Sequence, residues 1–299
     1  MAVADLSAFA QALNIRESAR LCFEPARGGV ISWNTYAAAG KLSFRLLRAN
    51  SPASTWYDYA EWHPSGRKSF SAQSDRDGVR VDVDLLHAEQ PFDGIELFAD
   101  GVDFNMLAFA SPVRTVPSLP YARDAMVLDV PARSQYVADD QSGWCSPATL
   151  SMVNRYHGID VGVEETARGV MDRAYNGTGN WAFNVAYSGS LGLRAVVAFL
   201  RNLDHAQRLI ERNLPVILSY SWAEGELPGA PLERSDGHLA VLCGFTSDGS
   251  CAINDPAARD VRVVYPRTAI EALWQRNDCI AYVIAPVGID YASVLADNA

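Results

Sequence analysis

Apolar and polar residues alternate through the first third of the chain. In Val79-Arg-Val-Asp-Val-Asp-Leu85 the apolar side chains of Val79, Val81, Val83 and Leu85 fall on one face, and Arg80, Asp82 and Asp84 on the other. This period of two predicts a half-buried strand. LCFEP, KLSFRLLRA, STWYDYAEW and GIELFAD are further short strand-like runs, separated by the turn clusters PARGG, ANSPAS, HPSGRK, SDRDG and FDG. Residues 18–112 are therefore expected to form an all-β, sandwich-like domain. The opening MAVADLSAFAQALNI predicts a short amphipathic helix within residues 1–17.

A proline-punctuated stretch, 113–133, is expected to be a semi-rigid connector. Beyond it the period changes. Ser146–Tyr156, GVEETARGVMDRA, LDHAQRLIERN and PRTAIEALWQR predict helices, while PVILSYSW, HLAVLCGF, CAIND and IAYVIAP predict buried strands. TSDGS supplies a hairpin turn between HLAVLCGF and CAIND. Helices precede strands rather than alternating with them, so residues 134–290 predict an α+β domain, followed by a tail at 291–299.

Bulk properties sharpen this picture. The chain has 299 residues, enough for two domains at roughly 100–200 residues each. A hydrophobic fraction of 49% can fill a core, and a net charge of −10 argues against nucleic acid or an anionic membrane as partner. No apolar run is long enough to span a membrane, and the first residues lack the basic and apolar regions of a signal peptide. The compartment stays open between cytoplasm and the outside of the cell, and the oligomeric state is not legible. Five cysteines occur, none in a C-x-x-C pair or with zinc-ligand spacing, so no zinc site is expected. The histidines His63, His87, His157 and His205 are expected in structural or surface roles, with His205 facing solvent. Trp33, Trp56, Trp62, Tyr57 and Tyr59 are expected to supply core rings rather than a sugar-stacking surface.

Three residues can carry chemistry. Cys145 lies in Gln141-Ser-Gly-Trp-Cys145-Ser-Pro, where Pro147 suits a first helical turn. Free N–H groups and the dipole of a helix start favour a thiolate, the reactive form of cysteine. His238 opens an apolar strand in Ser235-Asp-Gly-His238-Leu-Ala-Val, and Asp255 ends the next strand of the hairpin in Ile253-Asn-Asp255-Pro256. Antiparallel pairing would bring His238 and Asp255 to the same end, where a carboxylate can hold an imidazole in one tautomer. Each has a second reading taken singly. Cys145 could be a small core residue, His238 a structural histidine and Asp255 a turn former, and Asn254 could orient the imidazole instead.

The three words GWCSPATLSM, GHLAVLCGF and NDPAA, in this order, resemble the peptidase C39-like family (family 2) of papain-like cysteine peptidases. The stretch from NWAFNVAY to SYSW between them is similar too, and the resemblance covers about residues 133–286. It implies a papain-like fold and hydrolysis of a peptide or related amide through an acyl-enzyme on Cys145, with His238 as base and Asp255 orienting it. The substrate would be a peptide or protein, and neither a metal nor an organic cofactor would be needed. It also implies an oxyanion-hole glutamine upstream of the cysteine. Gln135 is favoured for that role, because Gln141 has only Ser142, Gly143 and Trp144 between it and Cys145. Gln141 is the alternative. The same Cys-His-Asp set also serves acyl transfer in transglutaminases and arylamine acetyltransferases, and a non-catalytic binding module on a peptidase scaffold is the third possibility.

Overall fold

A computed structural model of the chain describes residues 9–37, 39–63, 66–120, 124–137 and 143–295. In chain order the elements begin with β1 (Phe9–Ile15), β2 (Ser18–Asn34), β3 (Gly40–Arg48), β4 (Ser51–Pro52), β5 (Tyr57–His63), β6 (Gly66–Ser69), β7 (Ala72–Ser74), β8 (Val79–Asp82), β9 (Leu85–Asp100) and β10 (Phe104–Ala110). Then come β11 (Met126–Val127), α1 (Cys145–Tyr156), α2 (Val163–Val170), α3 (Trp181–Ser190), β12 (Arg194–Phe199) and α4 (Leu203–Ile210). The last are β13 (Val216–Trp222), β14 (Ser235–Phe245), β15 (Cys251–Asn254), β16 (Arg262–Tyr265), α5 (Arg267–Gln275), β17 (Ile280–Ala285) and α6 (Tyr291–Leu295). The class is α+β, with large antiparallel sheets and short helices.

The chain divides into two compact units, and neither is contiguous. The first holds residues 1–112, 169–198 and 287–299, the second 113–168 and 199–286. The expected single span 134–290 is thus shared between the two.

In the first unit, ten strands form one hydrogen-bonded antiparallel sheet whose main path is β1-β10-β2-β9-β3-β5-β6. The strands of the expected all-β region are thus hydrogen-bonded into one continuous ladder. The reason is the length of β2 and β9, at 17 and 16 residues. Register shifts between Cys22 and Gly28 let β2 pair with β9 along two separate stretches, so the ladder bends without breaking. The expected N-terminal helix is corrected. Phe9–Ile15 is a strand that pairs with β10, from Phe9 opposite Ala110 to Ile15 opposite Phe104, and residues 1–8 lie outside the described residues. Its apolar spacing suits either period, and the free edge of β10 decides for the strand. The alternating run at Val79 is likewise shorter than expected. It stops at Asp82, because Val83 takes a φ of 58° and turns the chain into β9.

Helix α3 packs on β2, and no periodicity announced it. Eight of its ten residues are buried, so it has no polar face for a pattern to show. Asn180 caps it, accepting a hydrogen bond from the Phe183 N–H at 3.0 Å. Phe183 meets the rings of Trp33 and Trp62 edge-on at 5.7 and 6.1 Å. Trp33, Tyr59 and Trp62 are therefore core residues as expected, whereas Trp56 is exposed and lies under the Arg45 guanidinium. A side chain at Gly189 would meet Asn34 at 2.6 Å, so the helix can approach β2 only with glycine there. The Asn34 side chain then pairs with the Ala195 backbone like a neighbouring strand, at 2.8 Å to its oxygen and 2.9 Å from its N–H. Below α3 lie two buried carboxylates. Asp172 accepts from the Ser69 N–H and the Asn180 amide, and Asp84 from the N–H groups of Trp181 and Ala182. Burial, and then the charge of Asp172, push Asp84 up to about 7, against the pull of those N–H donors. The tail also docks, with Tyr291 donating to the Arg194 carbonyl at 2.7 Å.

The second unit is built on antiparallel strands in the order β17-β13-β14-β15-β16, with β11 pairing off this path to the end of β14, at Gly244 and Phe245. Helix α1 packs on β14, and α5 on β13. The expected connector is strapped to this unit. The Gln275 amide donates to the Val116 carbonyl at 3.0 Å, Leu119 N–H donates to Asp204 at 2.8 Å, and Leu128 N–H to the Cys243 carbonyl at 2.8 Å. His205 on α4 is buried, not solvent-facing as expected.

Two outcomes follow for the first unit. A fragment lacking residues 1–112 would expose the aromatic face of α3. Fully exposing Phe183 alone would cost roughly 1.5–3 kcal/mol, a large fraction of the about 5–15 kcal/mol that stabilises a domain. Such a fragment is expected to show no cooperative thermal transition by circular dichroism; a sharp two-state melt would refute this. Asp84 is held above its unfolded value of 3.8, so the folded state binds its proton more tightly. Its contribution therefore stabilises as pH falls from about 7 toward the unfolded value, and is lost as pH rises back. Asp84→Asn should flatten that part of the stability-versus-pH curve relative to wild type in urea titrations.

Candidate active site

The site lies wholly within the second unit. Gly143 turns the chain with a φ of 92°, a left-handed conformation suited to glycine, and delivers Cys145 as the first residue of α1. Pro147 sits inside the first turn, where its missing N–H costs nothing. Trp144 occupies the N-cap position without a side-chain cap bond, and Ser146 and Leu239 offer their backbone N–H groups to the Cys145 sulfur.

His238 stands opposite Tyr220 in the β13–β14 pairing. It is 3% exposed, and Asp255, just beyond β15, is fully buried. The imidazole Nε2 lies 2.8 Å from Asp255 Oδ1. The other ring nitrogen, Nδ1, is left for Cys145, with which His238 shares a side-chain hydrogen bond. Ala257 N–H donates to Asp255 Oδ1 at 3.0 Å, and the Tyr265 hydroxyl to Oδ2 at 2.9 Å. The rings of Trp222 and Tyr220 stand edge-on to the imidazole, at 5.3 and 5.9 Å, and Trp222 is fixed by its indole N–H bond to the Leu232 carbonyl at 3.1 Å.

The electrostatics follow from these contacts. Burial works to raise the Cys145 thiol, but the hydrogen bond and charge of His238, with the N–H groups of Leu239 and Ser146, outweigh it and bring the thiol below its ordinary value. Burial likewise works to lower His238, and the bonds and charges of Asp255 and Cys145 overcome it and push the imidazole up. Asp255 is held below the usual carboxylate range because His238, Ala257 N–H and Tyr265 together outweigh its burial. The arrangement favours a thiolate beside an imidazolium, a pair able to attack a carbonyl carbon and then supply a proton to a leaving amine.

The fold thus brings together Cys145, His238 and Asp255. It does not use Asn254 as the orienting group: its amide donates to the Val130 carbonyl at 3.0 Å and its oxygen accepts from Arg262. Gln135 is buried, and its backbone N–H donates to the Pro256 carbonyl at 2.9 Å, one residue beyond Asp255. Its side-chain oxygen has no hydrogen-bond partner among the described residues. Gln141 lies outside the described residues. Trp181 and Tyr187 fall on α3 in the first unit. Sequence reasoning missed Tyr220 and Trp222, whose strand run read as ordinary core, and Tyr265, whose strand β16 was not predicted. Among the described residues no His/Cys/Asp/Glu group could hold a metal ion, and no helix is long and apolar enough to cross a membrane.

The model of the Peptidase_C39 like family matches residues 127–282. The chain belongs to the peptidase C39-like family. Among solved structures, it is similar to a Bacillus anthracis protein described as a C39-like peptidase, at 18% identity and a TM-score of 0.42, over 55% of this chain and 98% of that one. It is also similar to a double glycine motif protease from an AMS/PCAT transporter, solved in complex with the leader peptide. That match has 18% identity and a TM-score of 0.37, over 56% of this chain and 100% of that one. No curated protein matches the chain.

The thiols differ enough to be told apart. Burial pushes Cys243 up to about 11 and Cys251 up to about 12, and raises Cys279 as well. Cys22 is exposed. At a pH well below the roughly 8.5 of a free cysteine, iodoacetamide should alkylate Cys145 first, as read by peptide-mapping mass spectrometry. His238→Ala removes the cation and should move that labelling to higher pH. Labelling of Cys22 ahead of Cys145 would contradict the electrostatic account.

Proposed function

We propose that this chain is a cysteine peptidase that hydrolyses a peptide or related amide bond through an acyl-enzyme on Cys145. The observation that carries the reading is the unbroken line from Cys145 through His238 to Asp255, hydrogen-bonded at each step, with His238 and Asp255 buried and Cys145 partly accessible. In this reading the Cys145 thiolate attacks the carbonyl carbon, and the electron pair of the C=O bond moves to oxygen. Collapse of the tetrahedral intermediate breaks the C–N bond, and His238 gives its proton to the departing amine. A water molecule, deprotonated by His238, then attacks the thioester, releasing the acid and regenerating the thiol. Asp255 stays ionised and holds the imidazole in place. The backbone N–H of Cys145 and the side-chain amide of Gln135 are the proposed donors to the oxyanion. Gln135 is favoured because its loop returns to Pro256, beside Asp255. The second unit is the proposed papain-like body of the enzyme, and the large sheet of the first unit its support or a partner-binding surface.

The test is release of product from a peptide library. Cys145→Ala and His238→Ala should abolish turnover while thermal melting shows a folded protein, and Asp255→Asn should lower the rate. Gln135→Ala should cost roughly 10²–10³-fold in turnover, and Gln141→Ala little. Full turnover in Cys145→Ala would eliminate the mechanism. A product yield diverted to an added amine acceptor would make acyl transfer the reaction instead.

A further inference from the structure

The carboxylate of Asp255 has two oxygens, and only one faces His238. Oδ1 takes the imidazole and the Ala257 N–H. Oδ2 takes the hydroxyl of Tyr265, at 2.9 Å. Tyr265 ends β16 opposite Cys251 in β15, and is 1% exposed. A carboxylate rotates easily about its terminal torsion, which has no sharp threefold preference. A donor on the far oxygen fixes the plane of the group, and with it the direction in which Oδ1 meets the ring.

We propose that Tyr265 is a positioning residue, the fourth member of the Cys145–His238–Asp255 line, holding the Asp255 carboxylate in plane so that His238 keeps its imidazole aimed at Cys145. The proposal rests on the peptidase reading for its purpose, but its geometry stands on hydrogen bonds already described. The groups that face Asp255 come from four elements: His238 from β14, Tyr265 from β16, Tyr220 from β13 and, through His238, Cys145 from α1. Tyr220 does not share the task. Its hydroxyl is buried and has no hydrogen-bond partner among the described residues, so it acts on Asp255 only through space. Burial and the neighbouring carboxylate both raise the Tyr265 phenol above its ordinary value, so it stays a donor across the working pH range.

Tyr265→Phe tests this, because it keeps the ring in the core and removes only the hydroxyl. The readout is the rate of Cys145 alkylation by iodoacetamide against pH on the full chain, followed by peptide mapping, together with kcat and KM on a peptide substrate. Losing the donor raises the proton affinity of Asp255. The carboxylate then protonates at higher pH, and the thiolate–imidazolium pair loses its counter-charge there. The acid limb of the alkylation profile should move up by roughly one pH unit, the scale of one hydrogen bond to a charged group. Turnover should fall on the order of ten-fold with KM near wild type. In an Asp255→Asn background the same substitution should cost nothing further, since the charged acceptor is gone. Superimposable profiles and equal kcat for Tyr265→Phe and wild type would overturn the proposal and leave the residue a packing role. Should Tyr265→Phe fail to fold, replacement of Tyr265 by 3-fluorotyrosine keeps ring and hydroxyl but strengthens the donor. It should move the limb to lower pH, and an unmoved limb overturns the proposal. If wild-type Cys145 alkylates no faster than Cys22 at low pH, the peptidase reading and this proposal fall together. A shifted limb without any peptide hydrolysis keeps the role of Tyr265 and removes only the hydrolytic reading.

Discussion

The buried bond between His238 and Asp255 is the constraint on which the second unit is organised. At 2.8 Å, with both residues almost out of reach of solvent, neither partner can be lost cheaply. Removing one member of such a pair typically costs about 3–5 kcal/mol, because the other is left charged and buried. The surrounding strands meet that demand. Asp255 N–H bonds to the Val261 carbonyl at 2.8 Å and so begins the return into β16. β16 in turn brings Tyr265 to the far oxygen, and β13 lays Tyr220 and Trp222 against the imidazole. Water is kept away by rings rather than by distance, which strengthens each charge–charge contact in the line.

A similar logic holds the first unit together. The segment 169–198 brings no amphipathic stripe to its sheet. It arrives with polar groups that the interior satisfies one by one: Asn180 at the helix cap, Asp172 beneath it, and the Ala195 backbone of β12, which pairs with the Asn34 side chain from β2. Apolar surface supplies most of the stabilisation, and these polar contacts select one placement of α3 among several that bury similar area. Asp84 shows the cost of that selection, since its carboxylate sits where ionisation is disfavoured near neutral pH. The family match begins at residue 127 and includes the segment 169–198, which the first unit holds.

Much was legible in the sequence because it was local. The helix start at Cys145 was written in Gly143 and Pro147, and the strands around His238 and Asp255 in their apolar runs and the TSDGS turn, which the Thr246 N–H closes on the Ser250 carbonyl at 3.0 Å. The type of residue and its position on an element depend on φ, ψ and periodicity, and these are read from neighbours in the chain. What the tertiary structure alone decided is non-local. Phe9–Ile15 became a strand because β10 had an open edge, and the ten strands became one sheet because β2 and β9 are long enough to bend. α3 was hidden because a helix buried on all sides carries no period. Tyr265 was hidden because its partner, Asp255, reaches it only across a sheet register. Chemistry by residue type was therefore visible in the sequence, while the second ligand of each buried charge was set by register and packing, which no local pattern encodes.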